Sequence, residues 1–476
     1  MPSDSSRSDR LARCRSGRRG ALACLALLAL ILPRLGLSQA APPPFVTTDD
    51  PRRVRIPANA DDQTPAIVLP DGTLIDGTGS PPVANAVVVV RGDRILAAGP
   101  SGSVALPSGE YQLLDVSGFY IVPGLIDLHI HLAQQWKADD SQYQDSDAAA
   151  ALRGARKLAA LLDGGITTVR DVGTRNDVAF KLKEAVERRI FEGPRVFWAG
   201  KGILATGGHG DELRSGVSEA SKGTIHSGGP YARIADGADE WRLAVREQIR
   251  QHVDLIKLFA PFSREEVSAA IAEAHAQRFR VTVDAFGQFT TWAIEAGADC
   301  IEHTLAMPDA AIAMMAQRDT ALVPTLTTYH ALLTAGAAGL PPGGYYHDLH
   351  RSFEMTHAGN LRIVRAAHAA GVRIGIGTDM GFAGERHYPA SYFTEAGFLR
   401  DAGLTDAEVL SGATRVAADI LGMADKLGTL EQGKLADVLV VRGNPLADLR
   451  NLRNLVLLLA DGRVVRDRRA ALGVAP

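Results

Sequence analysis

Between residues 67 and 122 the apolar positions fall in short β-branched runs, each broken after a few residues by turn chemistry. Residues 86–90, 94–98, 112–116 and 120–122 read as strands, with Asp71-Gly72, Asp76-Gly77 and Gly92-Asp93 supplying turns among them. From Leu125 the rhythm changes. Runs of strand length alternate with longer stretches of helical period, the pattern of parallel βα units. Strands are expected at 125–132, 166–172, 195–199, 254–259, 280–285, 299–304, 321–327 and 372–379. Among the intervening helices, 148–162 is stopped by Gly164-Gly165, and 264–278 is opened by Ser263 with Glu266 three residues on, a capping box. A last helix is expected at 405–421, after which strands return at 436–441 and 454–460.

Eight such units predict an α/β chain closed into a (β/α)8 barrel, its interior filled by side chains and its chemistry at the C-terminal strand ends. The strands at the two ends of the chain are expected to pair as one small β-sandwich domain. The boundaries that follow are 41–122 and 426–476 for the two parts of that domain and 123–425 for the barrel.

Residues 1–40 have a different character. Arg7, Arg10, Arg13, Arg15, Arg18 and Arg19 precede an apolar run from Ala21 to Leu32, and Ser38-Gln39-Ala40 follows. Basic, apolar and small-residue segments in that order predict a secretory signal peptide cleaved after Ala40, and hence a secreted or periplasmic protein. The run falls short of the roughly 20 apolar residues that a spanning helix needs, so no membrane association is expected after cleavage. Cys14 and Cys24 lie within the signal, leaving Cys300 alone and no intrachain disulfide. On its apolar strand Cys300 is expected to be a buried, inert thiol. A net charge of −3, with cations dispersed beyond the first twenty positions, offers no field for nucleic acid.

Chemistry concentrates first at His129-Ile130-His131, where the first barrel strand ends. Residues two apart on a strand face the same way, so both imidazoles point together and suit zinc or a similar ion. With Pro123-Gly124-Leu125-Ile126-Asp127 before this pair, and with Ile256-Lys257, Ile301-Glu302-His303, Gly377-Thr378-Asp379 and Gly433-Lys434-Leu435-Ala436-Asp437 in order after it, the chain resembles the amidohydrolase superfamily from about Ile67 onward. It looks most similar to the branch of imidazolonepropionase-like proteins, secreted Xaa-Pro dipeptidases and ochratoxin-type amidases.

The resemblance implies two zinc ions held by His129 and His131, by a carboxylated Lys257 bridging both, by histidines on strands five and six, of which His303 is the second, and by Asp379. Asp379 would also take a proton from the attacking water and pass it to the leaving nitrogen. The fifth strand departs from the pattern: where His-Ala-His is expected, the chain reads Asp284-Ala285-Phe286. A carboxylate can replace imidazole on zinc, so Asp284 either ligates or leaves the site with one ion or an impaired one. The resemblance also implies a histidine and a tyrosine from the long loop after strand three on the substrate carbonyl, which makes His209 and Tyr231 the candidates to polarise it. The expected activity is hydrolysis of a dipeptide or N-acyl amino acid by a homo-oligomer. The alternatives are a one-metal hydrolase of a cyclic, imidazolone-like amide, which would not need Lys257, and a catalytically silent barrel acting as a binding protein.

Overall fold

A computed structural model describes residues 65–134, 146–208, 231–335, 356–379 and 388–473. The expected signal segment and His209 lie outside them. The first five strands are β1 (Ala66–Leu74), β2 (Val83–Arg91), β3 (Arg94–Pro100), β4 (Tyr111–Leu113) and β5 (Tyr120–Pro123). Alternation in β2 sends Ala86, Val88 and Val90 to one core and Val87 and Val89 to another, so this sheet is apolar on both faces.

The parallel strands β6 (Leu125–Ile130), β7 (Ile166–Asp171) and β8 (Arg195–Trp198) form one sheet. A second parallel sheet runs in the order β10-β9-β11-β12-β13-β14, where β9 is Gly202–Leu204, β10 Ala232–Ile234, β11 Ile256–Phe259, β12 Val281–Asp284, β13 Cys300–Glu302 and β14 Ala321–Val323. Strands β9 and β10 are short additions in the loop after the third expected unit. Nearly every residue of β6 to β14 is buried, as suits parallel strands covered on their faces. The covering helices include α1 (Asp147–Asp163), α2 (Val178–Glu187), α3 (Ala238–Arg250), α4 (Arg264–Ala276), α5 (Gln288–Ala296), α6 (Asp309–Arg318) and α7 (Leu326–Ala335). The capping box of Ser263 and Glu266 opens α4, and Gly164 closes α1. Among the described residues no helix is long and apolar enough to cross a membrane.

Backbone hydrogen bonds also join the two sheets. Asp254 N donates to Trp198 O at 2.8 Å between β8 and the start of β11. On the other side, segment 372–379 lies between β14 and β6, with Gly375 N donating to Leu322 O at 3.0 Å, Leu128 N to Ile376 O at 2.8 Å and Asp379 N to His129 O at 2.7 Å. This segment forms only an isolated bridge, Leu322 to Ile374, instead of the expected regular strand, because Ile376 N turns away to Gly412 O. The seventh strand is shorter than expected for a local reason. Pro324 cannot extend the ladder, and Thr325 takes a left-handed φ of 51°, so the chain leaves β14 at Val323 and enters α7 at Leu326. The helix expected at 405–421 is broken at Thr414 (φ −133°, ψ −93°) into Asp406–Ala413 and Arg415–Ile420.

The chain ends in β15 (Val438–Val441), β16 (Leu455–Ala460) and β17 (Arg463–Asp467). Strand β15 pairs antiparallel with β5, so terminal strands from both ends make one sheet in the order β17-β16-β15-β5-β1-β2-β3, with β4 beside β1. Where two sheets of a sandwich were expected, one hydrogen-bonded path wraps a shared core. Ile95 exchanges backbone hydrogen bonds with Lys434 and Gly433, drawing β3 to the start of β15.

Candidate metal centre

Strand β6 ends where its side chains are needed. His129 and His131 lie with ring centres 5.3 Å apart, as the two-residue repeat requires. Segment 372–379 brings Asp379 across to them: its Oδ1 is 3.1 Å from His131 Nε2 and 3.5 Å from His129 Nε2. Among the described residues these three side chains form the cluster whose donor atoms all lie within 4.8 Å of one another. Gly377 permits the approach, because a Cβ there would stand 2.7 Å from His129 Cβ and 2.3 Å from a methyl of Val323.

The centre is anchored from below and behind. Asp127 accepts from the backbone N–H of His129 and of Thr378, both at 3.1 Å, and from the Thr378 hydroxyl at 2.8 Å. Burial pushes its carboxyl up to about 7 against the pull of those bonds. The Thr328 hydroxyl, on α7, lies 3.0 and 2.9 Å from the carbonyl oxygens of Thr378 and Asp379. Asp379 and His303 both hold left-handed backbone, with φ of 53° and 71°, a strained geometry that concentrates at functional positions. His131 is oriented by Gly173 O, 2.8 Å from its Nδ1.

A second group adjoins the first. The His303 ring centre is 4.9 Å from that of His129, and its Nε2 is 3.3 Å from Asp284 Oδ2. Its Nδ1 meets the Thr325 hydroxyl at 2.6 Å, and Tyr329 packs edge-on against it. Asp284 therefore ends β12 with its carboxylate beside His303, outside the cluster of His129, His131 and Asp379. Lys257 rises from β11 with 1% of its surface exposed, and its Nζ has no hydrogen-bond partner among the described residues. The nearby ring of Phe259, centred 4.9 Å away, does not satisfy an amine.

These residues fit a divalent cation. Burial, and next the charge of Lys257, hold the His129 imidazole well below its ordinary value, so it is neutral and able to ligate. Burial alone would push Asp379 up, but His129 and His131 outweigh it and hold the carboxyl below the usual range. Two imidazoles and a carboxylate, all buried, are a donor set that zinc and related ions accept. Beside them the buried Lys257 amine has no hydrogen-bond partner among the described residues, a costly state for a polar group.

Tyr231 is buried, with the Arg175 guanidinium 5.7 Å from its ring centre, and Arg175 pairs with Asp147 at 2.6 Å. Arg175 lies two residues beyond Gly173, which touches His131, so Tyr231, packed against Arg175, is held near the same strand end. Cys300 is buried, and burial pushes its thiol up to about 12, as an inert residue requires.

Glu302 and Arg170 were not singled out by sequence reasoning as site residues. Glu302 Oε2 is 2.7 Å from His129 Nδ1, and its Oε1 is 2.5 Å from Arg170 Nη2. The available signal is a charged residue near the C-terminal end of each of two buried strands, Thr168-Val169-Arg170 and Cys300-Ile301-Glu302.

The family model described as the amidohydrolase family matches residues 120–465. The ochratoxinase of Aspergillus niger is 28% identical over 450 residues, covering 87% of this chain and 89% of its own. Among solved structures, a Xaa-Pro dipeptidase with methionine bound in its active site is similar with a TM-score of 0.75 and 27% identity, covering 84% of this chain and 100% of its own. A prolidase complexed with N-methylphosphonate-L-proline is similar with a TM-score of 0.73 and 30% identity, covering the same shares.

Proposed function

This chain belongs to the amidohydrolase family and is a hydrolase of carbon–nitrogen bonds, and from that premise we propose that it cleaves the amide bond of a dipeptide or N-acyl amino acid after export. The observation that carries the reading is the convergence of His129, His131 and Asp379 within 4.8 Å at the ends of parallel strands. The hydrogen bonds from Asp254 to Trp198 and from segment 372–379 to both Leu322 and Leu128 support closure of the two sheets into a (β/α)8 barrel, which places these residues at its mouth. Residues 1–40 supply the export signal.

His129, His131 and Asp379 would hold one divalent ion and His303 with Asp284 would hold a second, zinc being the ion that the imidazoles favour. Lys257, whose amine has no hydrogen-bond partner among the described residues, would add CO2 with loss of a proton and supply a further anionic ligand as its carbamate. When bound, the ions supply Lewis-acid polarisation of the scissile carbonyl and lower the pKa of water. The Asp379 carboxylate, ionised throughout the neutral range, accepts a proton from the attacking water at Oδ and delivers it to the leaving nitrogen. Burial of His129, His131, His303 and Asp379 limits the access of bulk solvent to that transfer. Tyr231 and His209 are assigned to the substrate carbonyl. A linear acyl-amino acid is favoured because the similar structures include a dipeptidase and a prolidase, and because Lys257, which a one-metal centre would not need, is present and buried.

The test is amine release from a panel of dipeptides, N-acyl amino acids and cyclic amides by the mature chain. Hydrolysis of linear members, abolished by a chelator and restored by zinc, is expected. Turnover of cyclic amides alone, or activity indifferent to the chelator, would sink the proposal.

A further inference from the structure

Glu302 takes no part in the steps above, yet it sits at the meeting point of four strands. Its Oε2 lies 2.7 Å from His129 Nδ1 on β6, its Oε1 lies 2.5 Å from Arg170 Nη2 on β7, and the Thr282 hydroxyl of β12 donates to that same Oε1. Arg170 Nε donates in turn to Leu128 O at 2.5 Å, so one guanidinium grips both Glu302 and the backbone immediately before His129. The side chains are almost fully enclosed: Glu302 is 0% exposed, Arg170 2% and His129 1%.

From this geometry we infer that Glu302, clamped by Arg170 and Thr282, is a positioning residue that sets the tautomer and ring orientation of His129 for metal binding; the inference rests on the reading of His129 as a ligand. A neutral imidazole has one N–H and one lone pair. With a carboxylate oxygen 2.7 Å from Nδ1, against 3.5 Å between Nε2 and the Asp379 carboxylate, the proton belongs on Nδ1, where the hydrogen bond is short and the opposing lone pair would be closest. The Nε2 lone pair is thereby left facing the centre, where Asp379 Oδ1 lies 3.5 Å away. A hydrogen-bonded carboxylate behind a ligating histidine also raises its basicity as a donor. Arg170 balances the Glu302 charge, and its bond to Leu128 O fixes the distance between that carboxylate and the strand bearing His129. The arrangement requires no metal to form, so the ligand is set before an ion arrives.

A purely structural role, in which the Arg170–Glu302 pair merely ties β7 to β13, would move thermal stability and nothing else. Two measurements on the mature chain separate the roles. Long-range 1H–15N NMR of the metal-free wild type, with His129 assigned by its loss in His129→Gln, is expected to show the proton on Nδ1; a proton on Nε2 would overturn the inference whatever the variants do. Chelator-competition titration with zinc is expected to give about 10–100-fold weaker binding for Glu302→Gln. Arg170→Lys, which keeps the charge but cannot grip both partners, is expected to fall between Glu302→Gln and wild type. Zinc that fails to bind the wild type would overturn the metal reading as well, whereas equal zinc affinity in wild type and Glu302→Gln would overturn this inference alone.

Discussion

Asparagine in place of Asp379 is expected to lower kcat/KM for linear amide substrates by about 10^2–10^4-fold, the range that a positioned general acid–base supplies. Asparagine keeps the shape of the side chain and can still place an oxygen near His131, but it can neither accept a proton from water nor return one to nitrogen. The backbone around residue 379 should persist, since it is fixed by Asp379 N on His129 O, by the Thr328 hydroxyl and by Asp127 through Thr378, none of which involves the altered group. The loss should therefore appear in kcat more than in KM, with the circular dichroism spectrum unchanged. The pH dependence has a definite sign. His129 and His131 hold the Asp379 carboxyl below its ordinary value, so the proton-accepting form is present above the usual carboxylate range and is lost only as pH falls through that lowered value. No acid limb from Asp379 is expected between pH 5 and 7. Retention of activity within threefold of wild type would remove Asp379 from the proton transfer.

Lys257→Met is expected to separate function from stability. Methionine has nearly the length of lysine and no amine, so the carbamate ligand disappears, and with it metal retention and nearly all activity. The metal-free protein should nonetheless become more stable, because a buried nitrogen that has no hydrogen-bond partner among the described residues is replaced by a thioether that needs none. On the scale of an unsatisfied buried polar group this gain is about 1–3 kcal/mol. Thermal unfolding of both proteins in chelator reads it directly. A lower melting temperature for the variant would mean that the amine is satisfied in the metal-free fold and that its conversion to a carbamate has lost its physical motive.

Local chemistry was the most legible part of the chain. The pair His129 and His131 could be read because a strand has a period of two, and α4 because its capping box is written within four residues. The end of β14 was misread because Ala321 to Thr327 is apolar enough for a strand, while the outcome was decided by Pro324, by the left-handed Thr325 and by Glu395, which accepts from the N–H groups of Leu326 and Thr327 across 69 and 68 residues of chain. Segment 372–379 alternates like a strand, but its pairing depends on glycines whose close neighbours, Leu128 and His129, lie far away in sequence. Glu302 could be quoted as part of a motif but not given a role, because Arg170 is 132 residues away and His129 is 173. Asp284 shows the converse: its departure from pattern was visible at once, while its position beside His303 needed the fold.

The central claim is that these side chains hold a paired metal centre despite Asp284. Metal content per chain, measured by plasma mass spectrometry on the mature protein prepared with zinc and bicarbonate, tests it most directly. Two ions per wild-type chain are predicted, with Asp284→His also holding two. One ion or none in the wild type, rising to two in Asp284→His, would contradict the claim and show that β12 contributes no ligand.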